Sequence, residues 1–324
     1  MRGSTAIGRT GVRVTRLSLG GAPLGGLYET VAGEQAAATV QAAWAAGVRS
    51  FDTAPQYGLG ASEARLGHAL TERPRADYIL ATKVGRLVVG AAEGDEENAA
   101  HAFAGTADRA LRFDFSRDGV RRSLAASLDR LGLDRVDVVH VHDPEDHLDA
   151  ALAEAFPALA ELRAEGAIGA VGAGMNYVAP LRRIVAEADV DCVLVAGRYT
   201  LLDHDEGRVL LDECAARGVS VLAAGVFNSG VLADPRPGAR FDYAPASPDV
   251  IDRARRIAAV CARHDVPLTH AAIAFPLAHP AVASVVVGAR SAEEVSTAVA
   301  AVAQPVPPAL WEDLRAEGLL AAEP

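Results

Sequence analysis

Cysteine is scarce in this chain, positive charge falls short of negative, and no long apolar run occurs; each shortage closes a class of function. Cys192, Cys214 and Cys261 are the three cysteines in 324 residues, and they show no paired spacing. A disulfide framework is therefore not expected, which fits a reducing cytoplasm. Cys214 and Cys261 fall in helical patterns and Cys192 opens an apolar strand, so all three read as small buried hydrophobes. The opening MRGSTAIGRT lacks the apolar core of a signal peptide. No apolar stretch approaches the ~20 residues that cross a bilayer. Lys and Arg number 31 against 42 Asp and Glu, a formal charge of −11. A surface this acidic repels phosphate backbones and anionic lipid, so neither nucleic acid nor a membrane is an expected partner. No Pro/Ser/Gly linker divides the sequence, and residues 1–324 read as one domain. The length suits an α/β barrel, which typically needs ~250 residues before insertions.

Short β-type runs alternate with longer helical ones almost to the C-terminus. The strands are expected at 16–19, 49–53, 78–83, 136–142, 168–172, 192–196, 220–224 and 284–288. Runs such as VDVVHV, CVLVA and SVVVG are mostly apolar, as when helices cover one strand face and a core fills the other. The helical patterns at 33–46, 116–131, 150–165 and 205–217 each stop at a glycine (Gly47, Gly132, Gly166, Gly218), the usual left-handed terminator. Eight strand-plus-helix units in unbroken series imply right-handed parallel crossovers. Eight is also the number that closes a (β/α)8 TIM barrel, the fold class expected here. A hairpin in residues 1–15, turning at 9–11, is expected to plug the barrel bottom. A helical tail over 305–320 is expected to lie across one barrel face. The stretch 84–115, with its acidic run, reads as a long loop after the third strand: a lid, a binding loop or disorder.

Three strands stop where ionisable side chains begin. FDTAPQYG at 51–58, ATKVGR at 81–86 and DVVHVHDPE at 137–145 put Asp52, Tyr57, Lys83 and His142 at successive strand ends. That is where a parallel barrel builds its reaction site. A phenol ordinarily ionises near ~10, too high for neutral-pH proton transfer, and a neighbouring ammonium favours the phenolate. Asp52 is placed to pair with Lys83 and hold it charged, and His142 to orient a reacting oxygen. Singly, each residue has a bland explanation: a loop cap, a rim aromatic, a solvated strand end, a satisfied core histidine. Four at consecutive strand ends make the joint coincidence hard to sustain. His140, two residues before His142, points to the same side of its strand. H-x-H can be a metal pair, but later strands end in Ala, Gly and Asn rather than ligands, and Lys83 would repel the ion. No metal site is expected.

These motifs give the chain its resemblance. APLGGLY at 22–28, FDTAPQYG, SEARLGHAL at 62–70, ATKVGR, HVHDPEDH at 140–147, AGRYTLLD at 196–203 and FNSGVL at 227–232 resemble the aldo-keto reductases over nearly the whole length. Within that family they are similar to bacterial dehydrogenases of L-fucose and D-threo-aldoses. The resemblance implies Asp52, Tyr57, Lys83 and His142 as a catalytic tetrad and a nicotinamide cofactor bound without a separate domain. Candidate cofactor contacts are Gly21, Ala22, Asn176, the Asn228–Ser229–Gly230 turn, Gly288, Arg290 and Glu294. The turn could offer backbone N–H groups to a pyrophosphate. Where NADP-dependent relatives carry Lys-Ser and an Arg, this chain has Gly288, Ala289 and Glu294. NAD is therefore expected, with Arg290 keeping NADP open. The usual amide-binding Gln falls at Ala196 and the usual stacking aromatic near Ala224, so Phe227 or Arg198 would have to serve. Asp143 replaces a pocket-walling Trp and could accept from sugar hydroxyls; Tyr28 and Arg86 are further substrate contacts. The expected reaction is NAD(P)-dependent oxidation of an aldose hemiacetal at C1. Two other readings stay open: pyridoxal 4-dehydrogenase or general aldehyde reductase, and, from a different class, a cofactor-sensing regulatory subunit.

Overall fold

The run VVHVH at 138–142 shows how the sequence builds this molecule. Side chains alternate across a strand, so Val139 and Val141 face outward into the apolar layer beneath the helices, while Val138 joins the interior cluster. His140 and His142 share that interior side. The computed structural model describes residues 3–95, 103 and 108–321. Eight strands close into a parallel barrel: β1 Leu17–Gly20, β2 Ser50–Asp52, β3 Ile79–Val84, β4 Val138–His142, β5 Ala170–Met175, β6 Cys192–Ala196, β7 Ser220–Ala224 and β8 Val282–Gly288. Each pairs with its chain neighbour, and β8 returns to β1. The sequence reading located all eight, and the ends of 192–196 and 220–224 agree with it. Elsewhere bounds move by one or two residues, except that β5 runs on to Met175 through glycines that carry little strand signal.

Helices cover the outside. Arg117–Leu131 begins where Ser116 Oγ accepts from Gly119 N (3.0 Å) and ends at left-handed Gly132. Two helices, Pro248–Arg263 and Leu268–Leu277, lie between β7 and β8. The N-terminal hairpin, Ser4–Ala6 paired with Arg13–Thr15, closes the barrel bottom. Its turn residue Ile7 is fully buried among Val138, Ala170, Cys192 and Leu222 from the strands, and Gly8 N donates to Ser220 Oγ (2.8 Å). The tail helix Pro308–Ala316 forms as expected, but Leu310 and Leu314 pack on Ile251, Ala254 and Ile257 of the Pro248–Arg263 helix in a separate apolar cluster. All three cysteines are buried and unpaired.

The segment after β3 departs from the expected loop. Arg86–Gly90 and Arg109–Phe113 form an antiparallel hairpin, with Arg86 opposite Phe113. The strands RLVVG and RALRF carry a β pattern that the intervening acidic run obscures. Most of that run, 96–107, lies outside the described residues apart from Phe103, which bridges to Leu27.

Candidate active site

Register fixes the centre of the site. Lys83 on β3 lies opposite His140 on β4, and His142 lies opposite Gly174 on β5. Lys83 therefore enters the barrel one layer below His142. Asp52 ends β2, and the next residues turn inward. Gly58 makes that turn possible: its φ is +65°, and a Cβ there would stand 2.3 Å from Gly25 O. This close approach of the two backbones holds Tyr57 over the barrel mouth. Lys83 Nζ donates to Asp52 Oδ2 (2.8 Å), Asp52 Oδ1 (3.0 Å) and Thr53 O (3.0 Å). It also stands 4.7 Å from the centre of the Tyr57 ring. The Tyr57 and His142 rings meet edge to face at 5.9 Å. Asp52, Tyr57, Lys83 and His142 are thus brought together.

Burial governs the electrostatics. It disfavours the charged form of every group here. For Lys83 burial is the largest single influence, but the carboxylate of Asp52 and the Tyr57 oxygen together outweigh it, so the ammonium is held charged. For Tyr57 burial wins: Lys83 lowers the phenol, but its pKa still lies above the ordinary 10.0. The expectation that Lys83 brings it down holds for the charge alone and not for the net. The phenol is thus a proton donor at neutral pH and becomes an acceptor only as pH rises. His142 is pushed well below 6.5 by burial and by Lys83, and is neutral. His140 falls to about 3 for the same two reasons. It occupies space that only a glycine opposite could leave, since a Cβ at Gly172 would lie 2.4 Å from His140 Nδ1. Among the described residues no group of three or more His, Cys, Asp or Glu side chains is arranged to hold a metal.

Two cavities meet over this centre, sharing Leu27. The inner one, about 270 Å³, is lined by Tyr57, Lys83, His142, Asp143, Ala22 and Asn176, with Gln56, Phe103 and Tyr243 on its outer side. The outer groove, about 560 Å³, runs past Ser229, Gly230, Gly288, Arg290 and Glu294, and also past Tyr28. Tyr28 therefore belongs to the groove rather than to the inner cavity where a substrate contact was expected. Arg86 stands behind the inner cavity, its Nη2 donating to Asp143 Oδ2 at 3.0 Å. Gly21 lines neither cavity, because it packs between Asp52 O and Ser62 Oγ. Asn228 is buried and donates to Gly197 O (3.1 Å). Its own N–H bonds Gly225 O and that of Gly230 bonds Phe227 O, so two donors expected to face a pyrophosphate are spent inside the turn. Arg198 bonds Asn176 O, Asp203 and Asp242, tying three loops together. Phe227 lines the outer groove.

Some groups at the site escaped the sequence reading. Tyr243 projects from the turn of a small hairpin, Arg240–Phe241 with Ala244–Pro245, that arches over from the β7 side. Its N–H donates to Ser229 Oγ (3.0 Å), and Asp242 and Tyr243 both have positive φ. The FDYA turn was the available signal. Phe103 packs on Tyr57 at 5.8 Å from within an acidic run that gave no hint of it. Glu29 binds Arg290 (3.0 Å) across 261 residues, a contact no local pattern carries. Glu294 proves to cap its own helix: Ser291 Oγ accepts from Glu294 N, while Glu294 Oε2 accepts from Arg290 N (2.8 Å).

Comparison with known proteins gives the same answer as this geometry. Residues 16–316 match the model of the aldo/keto reductase family. The chain is 43% identical to a D-threo-aldose 1-dehydrogenase of a Pseudomonas species, covering 95% of each chain. It is 42% identical to a pyridoxal 4-dehydrogenase of Microbacterium luteolum, over 97% of each. It is 35% identical to an L-galactose dehydrogenase of Arabidopsis thaliana, over 92% of this chain and 88% of that one. The solved holo form of an aldo-keto reductase from Bacillus halodurans superposes with a TM-score of 0.76 at 25% identity, covering 99% of this chain and 97% of that one. A closed eight-stranded barrel, a buried Lys–Asp pair beside a phenol and an imidazole, and similarity over the full barrel lead to one conclusion: this chain belongs to the aldo/keto reductase family and is an NAD(P)-dependent oxidoreductase.

Proposed function

We propose that the protein oxidises an aldose hemiacetal of the L-fucose, D-arabinose or L-galactose type at C1, giving the lactone, with NAD as the preferred cofactor. The observation that carries this reading is the inner cavity itself. It joins a phenol, a neutral imidazole and a buried ammonium to a carboxylate, Asp143, on the wall beside them. A polyol needs such polar partners, because unmatched buried hydroxyls are costly. A nicotinamide cofactor, held along the groove by Ser229, Gly230, Gly288 and Arg290, would supply the hydride acceptor for C1. The chain's own groups handle the proton. Neutral His142 orients the C1 oxygen, Tyr57 takes its proton, and Lys83, fixed by Asp52 and Thr53 O, stabilises the phenolate while it lacks that proton. In reduction the phenol returns the proton. The fit to a dinucleotide rests on the groove that joins the inner cavity at Leu27, with Ser229, Gly230, Gly288 and Arg290 along it.

The preference for NAD rests on Arg290. Its guanidinium is held by Glu29 (3.0 Å) and Glu294 (3.3 Å). Two carboxylates around one cation leave a net negative end of the groove, which repels a 2′-phosphate and suits ribose hydroxyls. One observation favours a second reading. Phe103 and Tyr243 flank the inner cavity, and rings there could stack on the pyridine of a substrate such as pyridoxal. Cytoplasmic location and a small-molecule partner are part of the same proposal. Among the described residues no helix is long and apolar enough to cross a membrane. Steady-state reduction of NAD and of NADP, with a panel of aldoses and with pyridoxal, tests all of this. The expected result is turnover of 6-deoxy or pentose aldoses with NAD. Turnover of pyridoxal alone supports the second reading, and no turnover with any of them favours a cofactor-sensing role.

A further inference from the structure

Four groups around the inner cavity differ in one respect. Tyr57 and neutral His142 can donate toward a substrate oxygen, Lys83 spends its three protons on Asp52 and Thr53 O, and an ionised Asp143 can only accept. The carboxylate stands beside the imidazole: His142 Nε2 and Asp143 Oδ2 are 3.6 Å apart. That separation is too long for a direct hydrogen bond. With the imidazole proton on Nε2, it leaves a donor and an acceptor side by side, both facing the same 270 Å³ cavity.

Asp143 is also held in place more firmly than a loop carboxylate needs to be. Its N–H donates to Gly174 O (3.0 Å), which extends the β4–β5 pairing by one residue. Its φ is then +41°, a left-handed conformation uncommon outside glycine. Strained backbone of this kind concentrates at working sites. From behind, Arg86 binds Oδ2 at 3.0 Å, and both side chains are largely buried, 11% exposed for Arg86 and 20% for Asp143. Arg86 itself is braced over the Phe113 ring at 5.0 Å, so the β-hairpin after β3 is what keeps the clamp in place.

We infer that Asp143, clamped by Arg86, binds the hydroxyl on the carbon adjacent to the reacting one, so that the site selects aldoses by their 2-hydroxyl. The inference rests on the aldose reading above. Oxygens on adjacent carbons of a sugar are separated by about the length of a hydrogen bond. When the C1 oxygen lies between Tyr57 and His142 Nε2, a 2-hydroxyl of the matching configuration reaches Asp143 Oδ2 and donates to it. Its epimer points away, and a 2-deoxy sugar offers no donor. Either leaves the buried carboxylate unmatched, which is how polar sites reject analogues. Asp143 is then a specificity-determining residue, and Arg86 a positioning residue that acts through it.

The test is a cycle of substrate against variant, read as the ratio of kcat/KM for a parent aldose to that for its 2-deoxy counterpart, with NAD. Intrinsic reactivity of the two sugars cancels between enzymes. For the wild type, a ratio ten- to a hundredfold above that of Asp143→Ala is expected, the range of a hydrogen bond to a charged group. Asp143→Asn, which keeps shape and one acceptor oxygen, should fall between the two and serves if the alanine variant fails to fold. Arg86→Met should lower the ratio in part, mainly through KM for the parent sugar. Equal losses on both sugars in Asp143→Asn and Asp143→Ala overturn the inference and leave a structural role. A wild type that oxidises parent and 2-deoxy sugars equally well also overturns it, with aldose oxidation intact. Oxidation of neither sugar removes the aldose reading beneath it.

Discussion

Two buried ionic clusters lie within a few residues of each other in this barrel, and they are finished differently. In the first, Glu63 is fully buried: its Oε1 accepts from Thr82 Oγ1 (2.7 Å) and its Oε2 from Arg130 Nε (2.6 Å). Arg130 has a further acceptor in Ser127. Every charged oxygen is matched, and the cluster ties the helix Ala61–Leu70 to β3 and to the helix Arg117–Leu131. In the second, Asp52 and Lys83 are matched to each other, but His142 Nδ1 is buried without a partner among the described residues, and His142 Nε2 and Asp143 stand too far apart to bond. Thr82 and Lys83 are chain neighbours, one facing each cluster. Buried polar groups are normally satisfied, and exceptions call for explanation. The closed cluster fits structure; the open one fits chemistry. Activity and stability should therefore separate when each is cut.

The largest effect is expected from the open cluster. Tyr57→Phe removes the group proposed to move the proton, and turnover should fall by roughly 10²–10⁴. Cofactor affinity, followed by quenching of protein fluorescence, should change little, because the phenol lines the inner cavity and not the groove. Unchanged kcat in this variant would end the proton role. The same residue sets a pH signature. Burial holds the phenol above its ordinary 10.0, so the phenolate that the proposed oxidation requires grows steadily from neutral to alkaline pH. Oxidation should rise through that whole range, while reduction, which uses the phenol, should stay flat. An oxidation profile that levels off near neutrality would mean that some other base takes the proton.

The closed cluster should answer the other way. Glu63→Ala leaves the half-buried Arg130 guanidinium without its charged partner and Thr82 Oγ1 without its acceptor, a change that costs about 1–3 kcal/mol. Thermal and denaturant unfolding should report that loss, while kcat per folded molecule stays near the wild-type value. Equal loss of activity and stability in both variants would erase the distinction between the clusters.

Much of this comparison was legible in the sequence, for a physical reason. Strand periodicity and glycine stops are local, so eight β/α units and the tetrad at their ends could be read from neighbouring residues. Asp52 and His142 end their strands and Lys83 stands one residue before the end of its own, and barrel closure leaves them one place to meet. Contacts carried by loops were not legible. Glu29 with Arg290 and Phe103 with Tyr57 join residues whose approach is set by the packing of distant turns. The net direction of the Tyr57 shift was missed because a sequence shows which charges are near but not how deeply they are buried. Glu294 was read as a cofactor residue, although S-x-x-E at 291–294 is also a helix start, and the structure shows that second role.

That double role shapes the last and smallest prediction, which concerns the mouth of the groove rather than either cluster. Replacing Glu294 with Arg would break the helix cap as well as alter charge, and the two effects would be confounded. Glu29→Gln with Glu294→Gln is the cleaner change. Glutamine keeps the length and an acceptor oxygen for Arg290 N, and it withdraws two negative charges from around one guanidinium. Arg290 then faces the groove with its charge uncompensated. The ratio of kcat/KM for NADP to that for NAD should rise about tenfold, the equivalent of roughly 1.4 kcal/mol, with little change in KM for the sugar. The effect should shrink as salt is added, because both carboxylates and Arg290 are partly exposed. An unmoved ratio at low salt would show that the 2′ position of the ribose lies elsewhere, and that this trio of charges serves only to dock the loop at Glu29 onto the last helix of the barrel.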